Sequence, residues 1–270
     1  MTLKSPQISL QTFTIRHHMK TPQKVEASYA RLKNMGINAV ELAYMKLTQP
    51  YINAVKKSCE QLEMKVATSQ IKFDILQKDF DWVIDFHQQL NCNITSVSVL
   101  PLSVILGNKQ NWLDFAKSLN ELGARYQEKG INLLFHHHDF EFAHFVAEDG
   151  TSESGLNLLM NQTDSDNVGL VIDTYWAQKG GCSPSELIKQ MKGRVQAIHL
   201  RDYNLKPRLL TMKPYDCELG KGNLNIQNII EACKHSEVKY MAIEHASKKP
   251  FESIELSSTY LKDMGYQHLF

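Results

Sequence analysis

Short runs of consecutive apolar residues alternate along the chain with longer stretches in which apolar residues recur every three or four positions. The short runs read as strands buried on both faces, the pattern of a parallel sheet, and the longer stretches as amphipathic helices. Strands are predicted at Ile8 to Ile15, Ile37 to Leu42, Lys65 to Ser69, Ile94 to Leu100, from Ile131 onward, at Val168 to Ile172, Val195 to Leu200 and Tyr240 to Ile243. Thr21-Pro22 opens the first helix with an N-cap and a proline at N1, and Met35-Gly36 closes it. Further helices are predicted at Gln49 to Leu62, Asp79 to Leu90, Asn111 to Glu128, Thr151 to Asn161, Glu186 to Met191, Ile226 to His235 and Phe251 to Leu261. Strand and helix alternate throughout, and no Gly-rich or Pro-rich linker interrupts them. This predicts an α/β fold of one domain over residues 1–270, a (β/α)8 barrel. The stretch from Asn204 to Gly222, with Pro207, Pro214 and Gly220, reads as a long irregular loop after the seventh strand. That position is the barrel mouth, where long loops carry function.

Composition removes several function classes. A formal net charge of +1 gives no overall field for nucleic acid or an anionic membrane. No apolar run approaches the length of a membrane span, and Met1 to Pro6 lacks the apolar core of a secretory signal. The 5 cysteines, Cys59, Cys92, Cys182, Cys217 and Cys233, are scattered, odd in number and without a C-x-x-C pair. They read as reduced thiols, and the expected location is the cytoplasm.

The candidate chemistry lies just past the strands. Glu141 follows the fifth apolar run, Asp173 the sixth, His199 the seventh and Glu244 the eighth; Glu41 repeats the arrangement on the second. In a parallel barrel these positions converge on one mouth, where carboxylates and imidazole would form an oxygen- and nitrogen-rich cage for a divalent cation. Alternation along His136-His137-His138 sends His136 and His138 to one side and His137 to the other. Their blander reading is polar strand-end residues bonded to loops. Asp173-Thr174-Tyr175-Trp176 offers a carboxylate ligand and an aromatic that can stack on a sugar face, although an aspartate there also suits capping of the next turn. Arg201, two residues past His199, suits an anionic or hydroxyl-rich substrate; the plain alternative is an Arg201–Asp202 surface pair.

Taken together, Gln11-Thr12-Phe13-Thr14-Ile15-Arg16, Gly36 to Leu42, Phe135-His136-His137-His138-Asp139-Phe140-Glu141, Leu170 to Trp176, His199-Leu200-Arg201-Asp202, Gly220-Lys221-Gly222 and Glu244 resemble the sugar phosphate isomerase/epimerase family. These are the xylose-isomerase-like TIM barrels, and the likeness spans essentially the whole chain. The resemblance implies one divalent ion, with manganese favoured and magnesium, cobalt or zinc as alternatives. Its ligands would be Glu141, Asp173, His199 and Glu244, with His136 as the other candidate for the first place. It implies Glu141 and Glu244 as the catalytic base and acid, and Glu41, His136, His138, Trp176, Arg201 and Lys221 as substrate-binding residues. Without the ion, mutual repulsion of the unpaired carboxylates is expected to loosen the fold locally.

The function so implied is isomerisation or epimerisation of a small sugar or polyol, by proton abstraction alpha to a carbonyl through an enediolate. An inosose-dehydratase-like lyase shares the first step. A catalytically inactive sugar-binding barrel is the alternative of a different class, and metal content separates it. Endonuclease IV, in the same superfamily, acts on DNA with several zinc ions. Here Trp176 stands where that enzyme has a histidine, and no basic, aromatic-interleaved surface is evident. The expected partners are therefore a small molecule and, in a homo-oligomer, further copies of the chain, with no nucleic acid and no membrane.

Overall fold

A computed structural model describes residues 5–146 and 149–270. Eight parallel strands close into a barrel: β1 (Gln7–Gln11), β2 (Ala39–Leu42), β3 (Lys65–Ile71), β4 (Ile94–Val97), β5 (Asn132–His136), β6 (Val168–Asp173), β7 (Val195–Leu200) and β8 (Tyr240–Ile243). Each strand pairs with its sequence neighbours, and β1 pairs with β8, Ile8 opposite Met241, to complete the ring. The predicted (β/α)8 architecture is the one observed. The lumen at mid-barrel is filled by Ile94, Leu134, Val171 and Ala197, a separate apolar plug, while the larger core lies between strands and helices. Barrels of this kind place function at the C-terminal strand ends.

Several helices begin where local chemistry dictates. The Thr21 hydroxyl accepts from the Lys24 backbone N–H ahead of Pro22–Asn34. Asn108 and Asn111 form a reciprocal capping box at the start of Lys109–Glu128. Departures from expectation cluster at the mouth. The first strand ends at Gln11 rather than Ile15, because the Gln11 side chain accepts the Phe13 N–H and turns the chain into a 3-10 helix, Thr12–His18. The segment after β7 is not irregular: Asp202–Arg208 and Thr211–Cys217 form an antiparallel hairpin. Its outer half is exposed on both faces, so it carries no apolar alternation, and its turn places Leu209 at φ +51° instead of using an Asn-Gly pair. A second, small hairpin joins His144–Val146 to Ser152–Ser154, which delays the predicted Thr151 helix to Gly155–Asn161.

A candidate metal centre at the barrel mouth

The ends of β5, β6, β7 and β8 bring four side chains together. Asp173 Oδ2 lies 3.7 Å from His136 Nε2 and 3.5 Å from His199 Nδ1. Glu244 Oε2 lies 3.0 Å from the same His199 nitrogen. His136, Asp173 and His199 offer ligand atoms that all lie within 4.8 Å of one another. Two ligands on one tetrahedral ion with bonds near ~2.1 Å are separated by about 3.4 Å, so the observed spacings need little closure.

Both imidazoles are oriented from behind. His199 Nε2 stands 2.7 Å from Glu41 Oε1, and an ionised carboxylate can only accept, so Nε2 carries the proton. Glu41 is itself steadied by the Thr68 hydroxyl at 2.5 Å. His136 Nδ1 donates to the Ser98 carbonyl at 3.2 Å. The two inward nitrogens, His136 Nε2 and His199 Nδ1, are buried and have no directional hydrogen-bond partner. A nitrogen bonded outward to a carboxylate or carbonyl with its other nitrogen facing carboxylates is the arrangement of a metal-ligating histidine. The residues present fit a divalent ion.

The electrostatics agree. Burial opposes charge on His199, yet Glu41, Asp173 and Glu244 outweigh it and hold its pKa well above the ordinary value, so the surroundings of this imidazole favour positive charge. Burial would likewise raise the Asp173 carboxyl, but Arg201, His136 and His199 keep it well below the usual carboxylate range. Arg201 reaches Asp173 at 3.1 Å, Glu244 at 3.3 Å and Asp216 of the hairpin at 2.9 Å. The carboxylates are thus already paired, which corrects the expectation that they would repel one another without an ion.

A cavity of about 710 Å³ opens over this cluster. Gln11, Gln70, His136, His138, Arg201 and Glu244 give it a polar side, and Phe13, Tyr44, Met45, Leu47, Val99 and Trp176 an apolar one. Over residues 29–264 the chain matches the profile of the xylose isomerase-like TIM barrel family. The protein belongs to that family. It is 25% identical over 174 residues to an inosose dehydratase of Clostridium perfringens, a match covering 57% of this chain and 56% of the relative. It therefore spans only about half the length of the curated relatives it matches. A sugar phosphate isomerase/epimerase from Parabacteroides distasonis superposes with a TM-score of 0.76 at 19% identity, covering 98% of this chain and 97% of that one. The IOLI protein, whose structure has a bound zinc atom, superposes with a TM-score of 0.70 at 15% identity, covering 98% of this chain and 99% of that one. At these identities the structures speak for the fold.

Within this family member, the other residues singled out from the sequence fall in different places. His138 and Trp176 line the cavity with their rings 5.3 Å apart. Burial and the adjacent His136 keep His138 neutral. Glu41 is fully buried behind His199 rather than on the cavity wall. Glu141 lies in the 3-10 turn Phe140–Phe142, outside both the three-residue cluster and the cavity lining; its Oε2 accepts the His138 N–H at 2.8 Å. Burial pushes its carboxyl up to about 7. The fifth-strand corner of the cluster is held by His136. Lys221 is exposed and faces an outer cleft with Glu252 and Tyr260. Arg201 does not pair with Asp202. The Asp202 carboxylate instead accepts the N–H groups of Tyr203, Gly220, Gly222 and Leu224 at 2.8, 3.0, 3.0 and 3.1 Å. Sequence reasoning missed Gln70, Ser98, Phe13 and Tyr44. Gln70 had a signal, since it lies two residues past Thr68 near the end of the third strand, as Arg201 lies two past His199.

Proposed function

We propose that this protein is a divalent-metal-dependent enzyme that abstracts a proton next to the carbonyl of a sugar or polyol, as an isomerase or epimerase. The observation carrying this reading is the buried pair of inward-facing imidazole nitrogens, His136 Nε2 and His199 Nδ1, set against the carboxylates Asp173 and Glu244. These four residues would hold the ion. When bound, it would polarise a substrate carbonyl and acidify the neighbouring C–H. Two imidazoles and two carboxylates suit manganese and equally admit cobalt or zinc, more readily than a set dominated by carboxylates would.

Glu244 is the proton-abstracting group of this reading. It lines the cavity, and Arg201 at 3.3 Å fixes its direction. His138, held neutral and lining the cavity, has a buried Nδ1 without a partner and can hydrogen-bond a substrate hydroxyl. Glu141 then positions His138 by holding its backbone N–H. Trp176 supplies a face for the sugar ring, and the buried Gln70 Nε2, also without a partner, a donor for a hydroxyl or carbonyl oxygen. Expulsion of a β-hydroxyl after the same first step would make the enzyme a lyase, a second reading favoured by the inosose dehydratase relatives. No described helix is long and apolar enough to cross a membrane, and the five cysteines are unpaired, which supports a reducing compartment.

The test is proton exchange. Incubated with manganese and a panel of ketoses and inososes in deuterium oxide, the protein should label a carbon next to a carbonyl, and product analysis separates epimer from dehydration product. Glu244→Gln should slow labelling by about 10²–10⁴-fold. Labelling of no substrate by protein with metal bound would defeat the proposal.

A further inference from the structure

The family resemblance suggests sugar phosphates, but the mouth of this barrel is not built for a phosphate. In such barrels a phosphate commonly sits on backbone N–H groups of the loops after the seventh and eighth strands. Here that place is Gly220-Lys221-Gly222: the Gly220 and Gly222 N–H groups are consumed by the protein's own Asp202 carboxylate and the Lys221 N–H by the Glu218 carbonyl. A Cβ on Gly222 would stand 2.2 Å from Asp202 Oδ1, so no room is left between loop and carboxylate. Among the described residues lining the cavity, the cations are Lys72 and Arg201. Arg201 is already committed to Asp173, Glu244 and Asp216.

The apolar part of the lining offers something else. Phe13 and Tyr44 meet edge to face at 5.5 Å, and beside them lie Met45, Leu47, Ile75 and Val99. Tyr44 is 77% exposed, and its backbone sits at φ +54°, a conformation that a tyrosine adopts at a cost. A strained, solvent-facing aromatic at a cavity rim is poorly explained by packing alone. The cavity, at about 710 Å³, lies in the upper part of the range of small-molecule pockets, with room beside a sugar ring for a substituent. Past Lys72 and Val99, which line both, it abuts a second cleft of about 740 Å³ with Phe73, Leu100, Ile105 and Phe115.

We infer that the substrate is an unphosphorylated sugar carrying an apolar, ring-sized substituent, the sugar ring lying over His136, Glu244 and Trp176 and the substituent against Phe13, Tyr44 and Leu47. This rests on the sugar reading of the site and narrows it. The substituent gains from leaving water against the aromatic edge, and the sugar keeps the polar side.

Calorimetric titration of the protein with manganese present tests it, using phenyl β-glucoside, phenyl β-galactoside, the two free sugars, their 6-phosphates and inorganic phosphate. The better phenyl glycoside should bind about tenfold more tightly than its free sugar. Tyr44→Gly, which removes the ring and relaxes the backbone, and Leu47→Gln should each shrink that ratio at least about threefold. Free sugar and phenyl glycoside binding equally, or a 6-phosphate binding more tightly than its free sugar, would overturn the inference while leaving the sugar reading in place. Binding of none of these sugars or glycosides would overturn this inference, whereas the sugar reading itself stands or falls on the deuterium labelling of ketoses and inososes.

Discussion

At the scale of single residues, the fifth-strand corner of the cluster decides which side chain completes it. Glu141 is the ligand implied by family likeness, yet the residue whose bare nitrogen faces Asp173 is His136. His136→Ala should abolish tight metal binding, and Glu141→Gln should retain it, as metal content by mass spectrometry would show. Glu141 also makes a prediction about pH. Burial raises its carboxyl from 4.5 to about 7, so the folded state holds a proton that the unfolded chain releases earlier. Its contribution to stability is full below about pH 4.5 and is lost as pH rises through about 7, a span on the order of 3 kcal/mol. Glu141→Gln should remove this slope and leave the variant more stable than wild type at pH 8 in urea titrations. An unchanged slope would show that the carboxyl ionises without penalty. The sequence displayed the histidines and carboxylates but not their roles: alternation separated His136 and His138 from His137 correctly, while the choice between His136 and Glu141 depends on how the chain turns after Phe135.

At the scale of elements, barrel strands such as Val168–Asp173, Val195–Leu200 and Tyr240–Ile243 were legible because burial on both faces writes a largely apolar run into them. Val195–Leu200 and Tyr240–Ile243 fall at the boundaries the pattern predicts. The hairpin after β7 was illegible for the converse reason: a largely solvent-exposed ribbon need not alternate, and Pro207 and Pro214 resemble loop punctuation. Its attachment comes from side chains far along the chain, Asp216 to Arg201 and to the Ala246 N–H, and Asp202 to the Gly220–Leu224 segment. Asp202 satisfies four backbone donors at once, so Asp202→Asn, which presents an NH₂ to some of them, should cost about 3 kcal/mol and expose the hairpin to proteolysis. A variant with wild-type melting temperature and cleavage pattern would show that water replaces the carboxylate freely.

At the scale of the whole molecule, the barrel separates what keeps it folded from what it works with. The apolar plug and the strand–helix core lie away from the mouth, where Arg201 gathers Asp173, Glu244 and Asp216. A buried guanidinium among three carboxylates means that the metal-free protein does not face bare repulsion. Chelation should therefore leave the far-ultraviolet circular dichroism at 25 °C unchanged. Restoring manganese at a hundred times its Kd should add about 2.7 kcal/mol through mass action alone. Arg201→Met should behave differently. It removes the internal cation and leaves buried carboxylates uncompensated, a loss on the order of 3–5 kcal/mol in the metal-free form. Added manganese supplies positive charge to the same Asp173 and Glu244, so the variant should regain more stability from metal than wild type does. The measurement is a pair of melting curves for each protein, with chelator and with manganese. Equal metal-induced shifts in the two proteins would show that Arg201 and the ion do not share these carboxylates, and would move the ion away from Asp173 and Glu244.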